Sequence, residues 1–164
     1  MNRAKYLWIG LSLATLCFSS ASPQKADKVL IVKHTHTLQL LNHGTVFRTY
    51  SIAIGRGGLE PKVRKGDHRT PEGNYIIDFH KPNSQFYRAL HVSYPNEADR
   101  KRASKLGVEP GGDIMIHGIR NGLGWLGSLH RQLDWTDGCI AVTDNEIDEI
   151  WNLVPDGTPV EIQH

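Results

Sequence analysis

Cysteine is scarce in this sequence, since its 164 residues contain only two, Cys17 and Cys139. We predict that Cys17 is lost with an N-terminal leader, which leaves Cys139 alone in the mature chain. A lone cysteine excludes an internal disulfide. From this count, Cys139 is an inert buried residue, half of an intermolecular bridge, or a nucleophile.

The sequence also lacks an apolar run of the ~20 residues that a membrane-spanning helix needs. Its apolar stretch from Tyr6 to Phe18 follows the basic residues Arg3 and Lys5 and precedes the small residues Ser19-Ser20-Ala21. This order is typical of a signal peptide cleaved after Ala21, with an uncleaved anchor as the alternative. We therefore predict export across the inner membrane to the periplasm or cell wall, with no integral membrane segment after cleavage.

The predicted mature chain has no excess of positive or negative charge. Removal of Arg3 and Lys5 reduces the 19 basic residues to 17, which equals the number of acidic residues. A formally neutral chain gives no indication of nucleic-acid binding. The sequence has no internal repeat or low-complexity linker. We therefore predict a signal peptide (1–21), a short tail (22–27) and one domain of ordinary size (28–164).

Clustered metal ligands and phosphate-binding motifs are lacking as well. His34 and His36 have the spacing of a ligand pair on one strand face, but no cysteine or carboxylate nearby completes a set. The glycine-rich segment 118–127 is followed by no lysine-serine or lysine-threonine pair and has no flanking βα pattern, which argues against a phosphate loop. We predict neither a metal nor a cofactor.

The body of the chain has strand patterns, in which apolar and β-branched residues alternate or cluster between turns. Turn chemistry occurs at Asn42-His43-Gly44 and at Thr70-Pro71-Glu72-Gly73. The predicted strands are Lys28–Lys33, Leu38–Leu41, Thr45–Ile54, an alternation through Tyr75, Ile77 and Phe79, and Val160–Ile162. Gly55–Lys65 is rich in glycine and basic residues, which predicts a mobile surface loop.

Two helices are predicted between the strands. Asn96 can cap a helix that ends near Leu106, and we expect its charged residues to face solvent. The segment 143–146, Thr-Asp-Asn-Glu, fits a capping box. Apolar residues at helical spacing follow it: Ile147, Ile150, Trp151 and Val154. Pro155 ends this second helix, whose apolar face we expect to pack beside the strand that carries Cys139.

Two short apolar stretches each carry a reactive side chain beside a glycine. His117 follows the alternation of Ile114 and Ile116, and Cys139 precedes Ile140-Ala141-Val142. A thiol needs a base to become a thiolate near neutral pH, and imidazole has a suitable pKa. Two strand ends could hold the pair rigidly within hydrogen-bonding reach. We therefore predict acyl transfer with Cys139 as the nucleophile and His117 as the base.

These residues are part of an ordered set of motifs that resembles the L,D-transpeptidase (YkuD-type) family over residues 28–162. The matching pieces are Val29–Val32, Thr70–Gly73, Ile116–Gly118, Gly138–Ile140 and Gly157–Val160. The resemblance implies a mainly β, β-sandwich-like catalytic domain with a few short helices, acting on peptidoglycan stem peptides. It also implies that Cys139 is acylated and that His117 activates it.

The chain departs from the common family pattern at two positions. Asp137 stands where the family usually has a second histidine, and Ala141 stands where it often has arginine or asparagine. The pair of Cys139 and His117 is unaffected by either change. The departures resemble a divergent subgroup whose members are thought to hydrolyse peptidoglycan links or to release an attached lipoprotein. Transfer to an amine is the leading interpretation, and hydrolysis by water is the alternative.

Further candidate residues surround this pair. An oxyanion needs hydrogen-bond donors, and the backbone N–H groups of Gly138 and Cys139 are candidates. We predict that four side chains contact the substrate: Arg120, Asp137, Thr136 and Trp125. A solvated loop position is the alternative for Arg120, and a surface carboxylate in a turn is the alternative for Asp137. Trp135 is a second candidate wall of the cleft, with core packing as its alternative. His68 and His91 are candidate polar groups there, with ordinary surface or core positions as theirs.

One hypothesis from another class stays open, a non-catalytic cell-wall binding module with a structural cysteine. Thiol reactivity separates the two hypotheses. A catalytic Cys139 should alkylate at pH 6–7 faster than a free thiol with the reference pKa of ~8.5. A cysteine with only a structural role should show no such enhancement.

Overall fold

Eight strands and two α-helices form within residues 24–164, the part of the chain that the computed structural model describes. The predicted signal peptide (1–21) lies outside the described residues. The strands are β1 (Lys28–Val32), β2 (Thr37–Asn42), β3 (Thr45–Ser51), β4 (Gly73–Ser84), β5 (Tyr87–Val92), β6 (Met115–His117), β7 (Ile140–Ala141) and β8 (Pro159–Gln163). The helices are α1 (Glu97–Lys105) and α2 (Asp144–Leu153), and Gly124–Gln132 forms 3-10 turns broken at Gly127. Within this described part, no helix has both the length and the hydropathy to cross a membrane.

The strands pair in the order β3-β2-β1-β8-β4-β5-β6-β7. Neighbours are antiparallel except for the pairs β1–β8 and β6–β7, which are parallel. Just beyond β3, Ala53 forms a bridge with Ala141 of β7, with N–H to O distances of 2.9 and 2.8 Å in the two directions. This bridge joins segments from the two ends of the strand order, so the sheet folds around the core. The prediction of a mainly β fold with a few short helices is confirmed.

Local sequence explains the first three strands. Leu38 and Leu40 of β2 are fully buried while Gln39 between them is partly exposed, the alternation expected of a strand with one face on the core. His43 and Gly44 connect β2 to β3 with positive φ angles of 49° and 75°, as a tight hairpin turn requires. The predicted turn and both flanking strands are therefore confirmed.

The long strand β4 connects the two halves of the sheet. Its first residues, Gly73 to Ile76, pair with β8, and its later residues, from Ile77 onward, pair with β5. The register with β5 shifts between Ile77 and Phe79 and again before Ser84. Such bulges bend a strand and increase its twist, which allows one strand to serve both halves.

The core lies between the two halves of the sheet and under α2. Thr143 caps α2 by accepting the N–H of Glu146, whose carboxylate accepts the N–H of Thr143, so the predicted capping box is confirmed. Ile147 and Ile150 are fully buried. At ~25 cal/mol per Å² of apolar surface, burying each of these side chains contributes about 2 kcal/mol. The helix thereby anchors the segment between Cys139 and β8.

The cap of α1 also matches its prediction, but one residue of its charged face does not. Asn96 accepts the N–H of Asp99, and the Asp99 carboxylate accepts the N–H of Asn96. Asp99 is only 3% exposed and accepts the Tyr75 hydroxyl at 3.1 Å. The solvent-facing prediction is therefore wrong for Asp99, because this carboxylate is used inside the fold as a cap and an acceptor.

The segment Gly55–Lys65 is fixed by hydrogen bonds, contrary to the prediction of a mobile loop. The Asp67 carboxylate accepts the N–H groups of Val63 and Arg64 at 2.7 and 2.9 Å and pairs with buried Lys62 at 2.7 Å. Burial alone raises the pKa of Asp67, but these hydrogen bonds outweigh it and lower the pKa to about 2. A charged carboxylate therefore organises the loop at neutral pH.

The Thr70–Gly73 turn connects this loop to the sheet. Thr70 is fully buried, and its hydroxyl accepts the N–H of Gly55 at 3.0 Å. Glu72 forms an ion pair of 2.7 Å with Lys33, whose side chain is 0% exposed. A side chain on Gly55 would meet the His68 carbonyl, which lies 2.2 Å from an ideal Cβ position. The turn thus fixes Gly55, and with it Arg56, against the neighbouring segment.

Candidate active site

A cavity of about 460 Å³ lies between the hairpin β4–β5, the end of β6 and the segment before β7. Most of the surface that lines it is apolar, and the cavity is open to solvent on one side. It contains both reactive residues predicted from the sequence. The lining residues are Arg56, Phe86, His117, Ile119, Arg120, Leu123, Leu126, His130, Trp135, Thr136, Asp137 and Cys139.

Cys139 lies directly before β7. The parallel pairing of β6 with β7 matches Ile116 with Ile140, which places Cys139 level with Met115, two residues before His117. Side chains two residues apart on a strand share a face, so Cys139 and His117 are directed to the same side of the sheet. The Cys139 thiol donates weakly to the Asp113 carbonyl at 3.4 Å. Burial raises the pKa of this thiol to about 11.

His117 is the last residue of β6 and is only 3% exposed. Its Nδ1 lies 2.7 Å from the Gly118 carbonyl, which can only accept a hydrogen bond. Nδ1 therefore carries the proton, and Nε2 keeps the lone pair that a general base needs. Burial lowers the pKa of His117 to about 4. Phe86 and Trp135 enclose the imidazole, with ring centroids 4.5 and 5.8 Å away.

These two pKa values describe a neutral thiol and a neutral imidazole in the substrate-free protein. Burial disfavours the charged form of each group, because neither charge would be solvated in the cavity. The raised pKa of Cys139 and the lowered pKa of His117 argue against the preformed thiolate expected at pH 6–7, so fast alkylation of the free protein no longer separates a catalytic cysteine from a structural one. If the thiol reacts, its proton must leave as the new bond to sulfur forms.

We predict that Cys139 of the free protein alkylates slowly at pH 7 and progressively faster toward pH 11. The thiolate is the reacting form, and its fraction rises until the pH reaches the raised pKa of about 11. Iodoacetamide labelling of the purified protein across pH 6–10, followed by mass spectrometry, measures this profile. A plateau already reached near pH 7 would contradict the neutral pair.

The segment Thr136–Cys139 is held by one side chain. The Thr136 hydroxyl donates to the Cys139 carbonyl at 2.7 Å and accepts the N–H of Gly138 at 3.2 Å. Gly138 has a φ of 124°, and an ideal Cβ there would lie 2.6 Å from the Arg69 carbonyl, so the backbone requires glycine. Thr136 thus braces this segment and also lines the cavity, and its predicted contact with the substrate stays a prediction.

The same contacts change the candidate oxyanion donors. The N–H of Gly138 is already donated to Thr136, so it is not available to a substrate in this conformation. Of the two predicted donors, the N–H of Cys139 is the one that remains a candidate. The loop that follows His117 is held from the other side, since the Asp144 carboxylate of α2 accepts the N–H of Ile119 at 2.8 Å.

The other predicted substrate contacts divide into two groups. Arg120 and Asp137 line the cavity and are exposed, as a substrate contact requires. Trp125 is 77% exposed and is not among the lining residues, whereas Leu123 and Leu126 on either side of it are. Trp135 lines the cavity instead. Of the two predicted wall residues, Trp135 therefore lines the cavity and Trp125 does not, and a contact of Trp125 with the substrate stays a prediction.

The four histidines considered above as metal ligands or cleft residues have different surroundings. His34 lies 2.7 Å from the His164 carbonyl, while His36 pairs with Asp134 at 3.0 Å, so these two side chains have different partners. His91 stacks on Phe79 and pairs with Asp78, and it does not line the cavity. His68 lies 2.8 Å from the Asp137 carboxylate, at the rim of the cavity.

Six lining residues were not singled out from the sequence: Arg56, Phe86, Ile119, Leu123, Leu126 and His130. The indole N–H of Trp135 donates to His130 Nδ1 at 3.3 Å, so neutral His130 carries its proton on Nε2. Burial lowers the pKa of His130 and favours this neutral form. His130 lies between Leu129 and Arg131 in a segment without a motif, so the sequence gave no signal for it, but the Gly-Arg-Gly of residues 55–57 could have suggested a close backbone approach.

The sequence of this chain matches a known protein family. A family model described as the L,D-transpeptidase catalytic domain (YkuD) matches residues 26–162, which is nearly all of the described chain. The chain belongs to the L,D-transpeptidase catalytic domain family. The resemblance inferred from its motifs is therefore confirmed.

A curated relative gives the same family. YafK of Escherichia coli (strain K12), a proposed L,D-transpeptidase, is 35% identical over 127 residues, which cover 76% of this chain. The match covers only 42% of YafK, so the chain spans about two fifths of that relative's length.

Solved structures show the same fold. The helical cell shape determining protein Pgp2 from Campylobacter jejuni has a TM-score of 0.62 at 24% identity, covering 82% of this chain and 46% of that chain. Bd1075 from Bdellovibrio bacteriovorus has a TM-score of 0.58 at 24% identity, covering 88% and 50%. An L,D-transpeptidase from Mycobacterium smegmatis has a TM-score of 0.56 at 15% identity, covering 84% and 58%.

Proposed function

We propose that the protein is a peptidoglycan L,D-transpeptidase that acts on stem peptides through an acyl-enzyme on Cys139. The observation that supports this proposal most directly is the shared cavity of Cys139 and His117, in which Nε2 of His117 keeps its lone pair. Family membership supports the same chemistry. Peptidoglycan lies outside the inner membrane, so the proposal requires export, in agreement with the signal peptide predicted for residues 1–21.

The first half of the proposed reaction forms a thioester. His117 Nε2 takes the thiol proton as Sγ of Cys139 attacks the carbonyl carbon of an L-centre in the stem peptide. The N–H of Cys139 donates to the oxyanion that develops. When the tetrahedral intermediate collapses, the C–N bond breaks and His117 returns the proton to the leaving amine.

The second half releases the acyl group. An acceptor amine or a water molecule gives a proton to His117 Nε2 and attacks the thioester carbonyl. The C–S bond breaks, and Cys139 recovers the proton. The apolar walls of the cavity, Phe86, Ile119 and Trp135 among them, limit the access of bulk water to the thioester.

Hydrolysis is the second candidate function, favoured by two features of the sequence and the structure. Asp137 replaces the second histidine of the common motif, and its carboxylate is engaged with Arg56 and His68. Ala141 is fully buried in its bridge with Ala53, so no polar side chain from position 141 reaches an acceptor. Water would then replace the amine, and an attached peptide or lipoprotein could be the leaving group.

Product masses distinguish the two acceptors. The purified protein is incubated with a tetrapeptide muropeptide in heavy-oxygen water, with and without a D-amino acid as the acceptor. Transfer predicts a product in which the D-amino acid replaces the terminal residue. Hydrolysis predicts a tripeptide whose new carboxylate carries heavy oxygen. The absence of both products, with the C139A variant as the blank, would contradict the proposed function.

A further inference from the structure

Arg56 lies at the rim of the cavity on a segment that is unusually well fixed. Its backbone N–H donates to the Thr136 carbonyl at 3.0 Å, and the N–H of Gly57 donates to the His68 carbonyl at 2.9 Å. The preceding residue, Gly55, forms a bridge with Thr136 and donates its N–H to buried Thr70. The base of the Arg56 side chain is therefore positioned by the backbone that also carries Cys139.

The guanidinium is oriented by the cysteine segment itself. Arg56 Nη2 lies 2.9 Å from Asp137 Oδ1, and His68 Nδ1 lies 2.8 Å from the same oxygen. Nη2 also lies 3.5 Å from His68 Nδ1, whereas Nε and Nη1 form no hydrogen bond with the described residues, so a second edge of the guanidinium fork is available to a carboxylate. The Arg56 side chain is 55% exposed, so a ligand can reach it.

The charge of the cavity favours an anion at this position. Its charged lining residues are Arg56, Arg120 and Asp137. His117 and His130 are neutral at pH 7, because burial lowers the pKa of each. The Asp137 carboxylate is already paired with Arg56 and His68. The two arginines therefore give the cavity a net positive charge. The other lining residues carry no charge at pH 7, so no second carboxylate of the cavity competes with an anion for the arginines.

We propose that Arg56, held in place by Asp137 and His68, is the binding site for a carboxylate of the substrate. This inference rests on the proposed function, since a stem peptide carries carboxylates both at its terminus and within the chain. Arginine suits the task because its planar fork binds a carboxylate bidentately, which lysine cannot do. Asp137 is then a positioning residue that fixes the fork two residues from the nucleophile.

Binding measured without turnover tests this inference separately from the reaction. The C139A protein, with and without R56A, is titrated calorimetrically with three forms of one stem tetrapeptide. One form is the free acid, the second carries a terminal carboxamide, and the third has its internal carboxylates amidated. R64A, which removes an exposed arginine from the neighbouring loop, is the matched control.

We expect R56A to weaken binding of the free acid by about 10- to 100-fold, the value of a good bidentate pair. The same substitution should leave the Kd of one amidated form unchanged, and that form identifies the carboxylate. R56K should recover less than half of the loss in log Kd, and R64A should cost less than twofold. Equal losses on all three peptides, no loss on any, or no binding of the free acid would overturn the inference.

Kinetic measurements separate a failure of this inference from a failure of the proposed function. In protein with Cys139 intact, R56A should raise KM for the free acid about 10- to 100-fold while kcat changes less than about threefold, because Arg56 acts in binding. D137N should raise KM by a smaller factor, since an amide can still accept from Arg56. A chain that binds the free acid through Arg56 but forms no acyl-enzyme would contradict the proposed function and not this inference.

Discussion

Replacing Cys139 with alanine lowers the rate of product formation from a stem tetrapeptide by about 10⁴-fold or more, the scale expected when a covalent nucleophile is lost. The acyl-enzyme cannot form without Sγ, and the remaining groups only bind and polarise the substrate. Single-turnover assays with the wild-type and C139A proteins measure the difference by chromatography of the products.

The controls for this variant follow from the contacts of the thiol. Sγ lies 3.4 Å from the Asp113 carbonyl and accepts a backbone hydrogen bond from Met115, and since both contacts of a thiol are weak, its removal should leave the fold intact. The melting temperatures of the two proteins should therefore agree closely, and C139A should still bind the substrate. C139A protein that retained more than about a tenth of the wild-type rate would remove Cys139 from the reaction.

The second large effect belongs to H117N, which should lower kcat/KM by about 10²- to 10⁴-fold, the usual contribution of a general base. Asparagine can place an N–H near the position of Nδ1, so it can keep the hydrogen bond to the Gly118 carbonyl seen at 2.7 Å. It provides no nitrogen lone pair at the position of Nε2. The variant therefore separates the catalytic role of His117 from its structural hydrogen bond.

The pH dependence of kcat/KM tests the same role of His117 as a base. Since burial lowers the pKa of His117 to about 4, its imidazole stays neutral and able to accept a proton at all higher pH values. Wild-type kcat/KM should therefore fall only as the pH approaches about 4, and an ordinary histidine base would lose activity below about 6.5. An acid limb near 6.5, or H117N activity within threefold of wild type, would contradict the assigned base.

Much of the fold could be predicted because its signals are local. The capping box at Thr143 with Glu146, the apolar spacing of Ile147 and Ile150, and the turn at His43-Gly44 each involve residues close in sequence. Strand β5 (Tyr87–Val92) has weaker alternation, with Ala89 and Leu90 both fully buried, and it was missed. A strand covered on both faces does not need strict alternation, and α2 packs against β5.

The candidate site was predictable only in part, for a similar reason. Cys139 and His117 could be chosen because each reactive side chain sits at a strand edge beside a glycine. Arg56 and Phe86 come from distant segments, and only the folded chain brings them to the cavity. Asp99 and Thr136 are polar residue types that usually lie at the protein surface. Here both are buried and form hydrogen bonds within the fold, which only the tertiary structure determines.

The ionisation of the cysteine could not be read from the sequence at all. A histidine beside a cysteine predicts a thiolate, but this prediction assumes that both groups stay solvated or pair as ions. Burial opposes both charges here, raising the pKa of Cys139 and lowering that of His117. The difference is a property of the cavity walls, which are assembled from four separate parts of the chain.

The most direct test of the account is the mass of the protein after rapid mixing with a tetrapeptide muropeptide and acid quenching. We expect a fraction of the wild-type protein to gain the mass of the stem peptide without its terminal D-residue, and peptide mapping should place the adduct on Cys139. The C139A protein should show no such adduct. Product formation without any adduct on Cys139, or an adduct on another residue, would contradict the cysteine acyl-enzyme.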